Sequence, residues 1–163
     1  MQFCMAYRHI LEQHRLLATG TTGRLVEENA GLKVTKFLPG GHGGAEQIVA
    51  RIACEEVDML LFFRDPISAK PSEPNEMNLL RICDVHNVPV ATNIATAEVL
   101  IHGLEHGDLD WRTIINPSGE NCTVCINLQQ IYNPRFQAIG GCFYCGQSAL
   151  WLVVSSGCIQ RTA

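Results

Sequence analysis

The segment Leu17-Ala18-Thr19-Gly20-Thr21-Thr22-Gly23 restricts the possible folds of this chain more than any other. A short apolar strand, Leu16 to Ala18, runs into it, and a helical run, Arg24 to Asn29, leads out of it. Glycine at the junction lets the backbone turn tightly and lets a ligand come close. The hydroxyls of Thr19, Thr21 and Thr22, with the N–H groups of the first helical turn, converge on one spot. The helix dipole favours an anion there, so the pattern suits a phosphate. The alternative is a Gly-rich strand-to-helix turn whose threonines only cap the helix.

The rest of the first 117 residues repeats this alternation. Phe3, Tyr7, Ile10 and Leu11 recur at helical spacing. Leu32 to Leu38 reads as a strand, followed by the loop Pro39-Gly40-Gly41-His42-Gly43-Gly44. Ile48, Val49, Ile52 and Ala53 share a helix face. Val57 to Phe63 is continuously apolar, as in a strand buried on both faces, and Arg64-Asp65-Pro66 ends it. A helix with Met77, Leu80 and Cys83 on its apolar face follows, then a strand at Val88 to Ala91 and a helix from Ala95 to Leu104. Strands alternating with helices predict an α/β fold with a parallel sheet covered on both sides. The Gly, Thr and Asp punctuation falls at the carboxyl ends of the strands, where such sheets bind ligands.

Bulk properties remove several function classes. The 163 residues suffice for one α/β domain with a proper core. Net charge is −4, and no basic block or aromatic-basic interleaving points to nucleic acid. The longest apolar runs, Met59 to Phe63 and Ala149 to Val154, are too short to span a membrane. The N-terminus has no apolar signal core, so a cytoplasmic protein is expected.

Character changes after Pro117. The chain has 12 basic and 16 acidic side chains, yet only Glu120, Arg135 and Arg161 fall in residues 118–163. Helical periodicity fades there, and five of the eight cysteines crowd into it. We therefore expect a folded domain over residues 1–117 and an atypical Cys-rich tail over residues 118–163, for which disorder is one reading.

Four loop motifs, taken together, resemble the methylglyoxal synthase family. They are Ala18-Thr19-Gly20-Thr21-Thr22-Gly23, Gly40-Gly41-His42-Gly43-Gly44 with Gln47-Ile48, Phe62-Phe63-Arg64-Asp65-Pro66, and Val88-Pro89-Val90-Ala91-Thr92-Asn93 with Ala95-Thr96-Ala97. They stand in order and correctly spaced over roughly Met5 to Pro117. The resemblance implies a three-layer α/β/α fold with a central parallel sheet, methylglyoxal synthase-like with flavodoxin-like winding, and typically a homohexamer. It implies a cofactor-free lyase that converts dihydroxyacetone phosphate to methylglyoxal and phosphate. In that chemistry a carboxylate takes a proton beside the carbonyl, an enediolate forms, and phosphate leaves. Carried over by residue, Thr19, Gly20, Thr21 and Thr22 match the family's phosphate cradle. Pro39 and Gly40 stand where the second phosphate loop usually reads Ser-Gly. Asp65 sits at the Asp-Pro turn, and Arg81 matches a helix arginine that helps hold the site's charges, its other reading being a solvated cation.

Three departures accompany the match. The family opens with an interior strand carrying a His-Asp-x-x-Lys type segment, whereas Met1-Gln2-Phe3 already resembles the middle of the first helix. The expected fold thus lacks its first strand, and a start placed too far downstream explains this more simply than an evolved deletion. Ala45 stands where the family has its catalytic aspartate, and Glu46, one step along, is the candidate base. One residue along a helix turns a side chain by about 100°. Finally, the His-x-x-Asp stretch reads Ser72-Glu73-Pro74-Asn75, so Ser72 offers only a hydrogen bond where a histidine could act as an acid. Asn75 would orient a partner or cap the next helix, and His42 is the nearby histidine that could substitute. These changes support a second reading, a binding module that senses a phosphorylated metabolite without turning it over.

Cys122, Cys125, Cys142 and Cys145 form C-x2-C-x16-C-x2-C, the spacing of a zinc ribbon. The family carries no such ribbon, and no clear strands surround these pairs in the sequence. We assign no metal and read the pairs as chance products of a cysteine-rich tail, a real zinc site being the other reading.

Overall fold

The computed structural model describes residues 1–63, 76–115 and 122–128. Among these residues five strands form one parallel sheet: β1 (Arg15–Ala18), β2 (Val34–Lys36), β3 (Met59–Phe63), β4 (Val90–Ala91) and β5 (Thr123–Leu128). Their spatial order is β2-β1-β5-β3-β4. The helices are α1 (Gln2–Ala6), α2 (Arg8–Leu11), α3 (Gly20–Ala30), α4 (Gly44–Ala53), α5 (Glu76–Val85) and α6 (Ile94–Glu105).

Strand alternation sorts the core into two layers. Leu16, Ala18, Met59, Leu61, Phe63, Val124 and Ile126 pack with residues of α1, α2, α3 and α6. Leu17, Leu60, Phe62 and Cys125 pack with Ile48 and Ile52 of α4 and Leu79 and Cys83 of α5. All five residues of β3 are buried, as the continuous apolar run predicts. The expected three-layer α/β/α fold with a central parallel sheet is therefore observed.

Two local expectations are corrected. The first helical stretch breaks at Tyr7 (φ −103°, ψ 24°) into two short helices. On α5 the buried positions are Leu79 and Cys83, whereas Met77 is 72 % exposed. Its neighbour α4 approaches from the side of Leu79, so the tertiary contact chose the face.

The larger correction concerns β5. Its residues fall in the stretch that showed no clear strands in the sequence, yet they form the longest strand among the described residues. β5 lies between β1 and β3, with Leu16 opposite Val124, Ala18 opposite Ile126, and Leu60 opposite Cys125. Loss of an interior strand leaves two ladders of N–H and C=O groups unpaired. Here both ladders are paired by β5. A compact unit accordingly extends over Met1–Ile131.

A buried ion pair fixes the entry to β5. Asp58 Oδ2 accepts a bond from the Thr123 N–H (2.8 Å), and the Asp58 N–H donates to the Thr123 carbonyl (2.9 Å). Arg112 Nε lies 3.3 Å from Asp58 Oδ1, and its Nη1 donates to the carbonyls of His86 and Asn87. Among the described residues, no helix is long and apolar enough to cross a membrane.

Candidate functional site

α3 begins at Gly20, not Arg24, so Thr21 and Thr22 lie in its first turn and Thr19 is the N-cap. The Thr19 side chain makes no bond to the helix N–H groups. Its hydroxyl lies 3.2 Å from Thr22 Oγ1 and 3.4 Å from Asn127 Oδ1 instead. The capping alternative is thus not realised at Thr19. Thr19 and Thr22 are buried, while Thr21 is exposed at the same turn. Of the three hydroxyls expected to converge, those of Thr19 and Thr22 lie side by side, and Thr21 is exposed.

The two glycine loops meet here because neither glycine tolerates a side chain. A Cβ on Gly20 would stand 2.9 Å from the Phe37 carbonyl oxygen, and one on Gly44 only 2.0 Å from that of Leu38. The Gly20 N–H donates to the Leu38 carbonyl (3.2 Å), and the Pro39 carbonyl accepts from His42 and Gly44. Gln47 Oε1 accepts from the Leu38 N–H (2.9 Å), stapling the loop to α4. The strand end of β1, the Pro39–Gly44 loop and the start of α4 are therefore one connected structure. Gly40 faces open space within it.

Glu46 lies in the first turn of α4 and is exposed, and Ala45 beside it is half-buried. His42 ends a short 3-10 turn and is exposed. Arg81 is exposed on α5. Asn93 caps α6, its side chain accepting from the Thr96 N–H at 2.9 Å, which gives it a structural task. Asp65, Ser72 and Asn75 lie outside the described residues.

Asn127 is a participant that sequence reasoning missed, and Gln47 was named there only within a motif, without a role. The signal for Asn127 was the β-branched and apolar run Thr123-Val124-Cys125-Ile126, a strand pattern hidden by the cysteine spacing. Within that strand Cys122 and Cys125 belong to opposite faces, Cys122 packing on the α3 and α6 side and Cys125 beneath α4 and α5. A zinc knuckle needs both sulfurs on one ion. This pair is built as core instead: burial pushes the Cys122 thiol up to about 11 and raises Cys125 further. Cys142 and Cys145 lie outside the described residues.

Fold and site together define a parallel three-layer α/β/α domain with a Gly/Thr loop at its strand ends. Residues 1–92 match the family model described as MGS-like domain. A methylglyoxal synthase of Caldicellulosiruptor saccharolyticus is 58 % identical over 117 residues, covering 72 % of this chain and 83 % of the relative. Those of Thermoanaerobacterium thermosaccharolyticum and Oceanobacillus iheyensis are 55 % and 52 % identical, covering 71 % and 74 % of this chain and 86 % of each relative. The crystal structure of methylglyoxal synthase from Elizabethkingia anophelis superposes with a TM-score of 0.59 at 36 % identity, over 61 % of this chain and 66 % of that one. The chain belongs to the MGS-like family, and the relatives named here are methylglyoxal synthases.

Proposed function

We propose that the protein is a methylglyoxal synthase, a lyase that eliminates phosphate from dihydroxyacetone phosphate to give methylglyoxal. Identity of 58 % to a relative of that name is the observation that carries this reading. Thr19 to Thr22 and Gly40 bind the phosphate. Thr19 leaves the first turn of α3 uncapped by its own side chain, so the positive end of the helix faces the anion. Glu46 takes the proton beside the carbonyl, with Asp65 as the second carboxylate of the site. Ser72 and Arg81 complete the substrate contacts. The reaction needs no cofactor, because proton removal and elimination are both within the reach of side chains. The protein works as a homo-oligomer, a hexamer by its family, in the cytoplasm.

The deciding experiment is an assay of methylglyoxal formation from dihydroxyacetone phosphate. Turnover by the purified chain confirms the enzyme. Ala45 at the family's aspartate position favours the second reading, a phosphate-ligand sensor. Absence of turnover with retained stabilisation by phosphate would select that sensor.

A further inference from the structure

We infer that Asn127 is a ligand-positioning residue, supplied to the phosphate site by the C-terminal strand β5. The inference rests on the phosphate reading of the Thr19 loop. β5 is the central strand, and the chain winds outward on both sides of it, β1 to β2 through α3 and β3 to β4 through α5. In an open parallel sheet the ligand crevice lies at the carboxyl ends of the strands where the winding reverses. Asn127 is one residue from the carboxyl end of β5. Its register places it beyond the Ala18–Ile126 pair, beside Thr19, and opposite Phe62 of β3. It therefore stands between the two diverging halves of the sheet.

Chemistry singles out the same side chain. Asn127 is only 9 % exposed, and Oδ1 faces the Thr19 hydroxyl at 3.4 Å. A buried primary amide has two N–H donors to satisfy. The Asn127 contact with Thr19 engages Oδ1, not the amide nitrogen. The neighbouring strand residues on this face, Leu17, Phe62 and Cys125, are apolar core. A polar donor where this apolar face meets the Thr/Gly loop suits an oxyanion. In this arrangement Oδ1 orients the Thr19 hydroxyl and the amide N–H donates to a phosphate oxygen.

Inorganic phosphate, titrated calorimetrically into the full chain and its variants, tests this. Asn127→Asp keeps the shape and the acceptor for Thr19 but replaces the amide donor with a negative charge. The expected result is phosphate affinity weaker by about tenfold or more, the scale of one hydrogen bond to a charged group, with the urea midpoint unchanged. If wild type binds phosphate and Asn127→Asp binds it equally well, Asn127 has no positioning role and the phosphate reading stands. If wild type itself fails to bind phosphate, that reading falls and takes this one with it. Should Asn127→Asp not fold, Asn127→Thr, which suits a strand and also removes the amide, decides by the same two outcomes.

Discussion

Arg112 Nε lies 3.3 Å from Asp58 Oδ1, and neither side chain has any exposure to solvent. This pair ties the C-terminal strand to the rest of the domain, because the other Asp58 oxygen holds the Thr123 N–H at 2.8 Å. Breaking a buried pair by removing one member strands the other charge and costs about 3–5 kcal/mol. Arg112→Ala should lower unfolding stability by that amount in urea titrations. It should also speed amide exchange at Thr123 to Ile126. A loss of less than about 1 kcal/mol would mean that the clasp is not what holds β5.

The domain should depend on residues beyond Pro117. A chain stopped there loses β5 and leaves the facing ladders of β1 and β3 unpaired. It also uncovers the core side chains beneath Val124, Cys125 and Ile126. We expect no cooperative thermal transition and no near-ultraviolet dichroism from this truncation. A sharp transition at the full-length temperature would show β5 to be dispensable.

Catalysis should depend on the first turn of α4. Glu46→Gln removes the proposed base from an exposed position, so stability should stay within about 0.5 kcal/mol. Turnover of dihydroxyacetone phosphate should fall by at least about a hundredfold, the usual contribution of a general base. Ala45→Asp should raise the rate of the otherwise unaltered chain. An unchanged rate in Glu46→Gln would assign the proton transfer elsewhere.

Gly44→Ala probes the loop geometry rather than the chemistry. Its Cβ would stand 2.0 Å from the Leu38 carbonyl oxygen, so backbone must move. Overpacking of this kind costs about 1–3 kcal/mol. Because the displaced loop also meets Gly20, phosphate affinity should drop with stability. Retained affinity in a destabilised variant would separate the loop from the site.

The buried thiols give a pH signature. Burial pushes Cys83 up to about 12 and Cys122 up to about 11, from the ordinary 9.0. Above pH 9 the unfolded chain releases these protons while the folded chain keeps them. The unfolded state then binds fewer protons, so stability falls as pH rises through that window. Urea midpoints should be flat in this respect below pH 9 and decline above it. In the native protein at pH 8, peptide mapping after brief alkylation should find Cys54, which is exposed, labelled ahead of Cys4, Cys83, Cys122 and Cys125. Prompt labelling of Cys125 would contradict its place in the sheet.

The amino-acid sequence by itself determined the layered fold and the location of the loops. Local signals suffice for that: the continuous apolar run of β3, the helical spacing of Ile48 and Ile52, and the glycines at Gly20 and Gly44. Each acts through residues within a few positions of itself. Tertiary structure alone decided what fills the middle of the sheet. Nothing near Thr123 to Leu128 says that these residues pair with β1, more than a hundred positions away. The cysteine spacing leaves a zinc knuckle open as an alternative for this run until the pairing puts Cys122 and Cys125 on opposite faces. That pairing also brings Asn127 to Thr19, a contact between residues 108 positions apart. Periodicity reports which face of an element is apolar; it carries no information about which distant element that face meets.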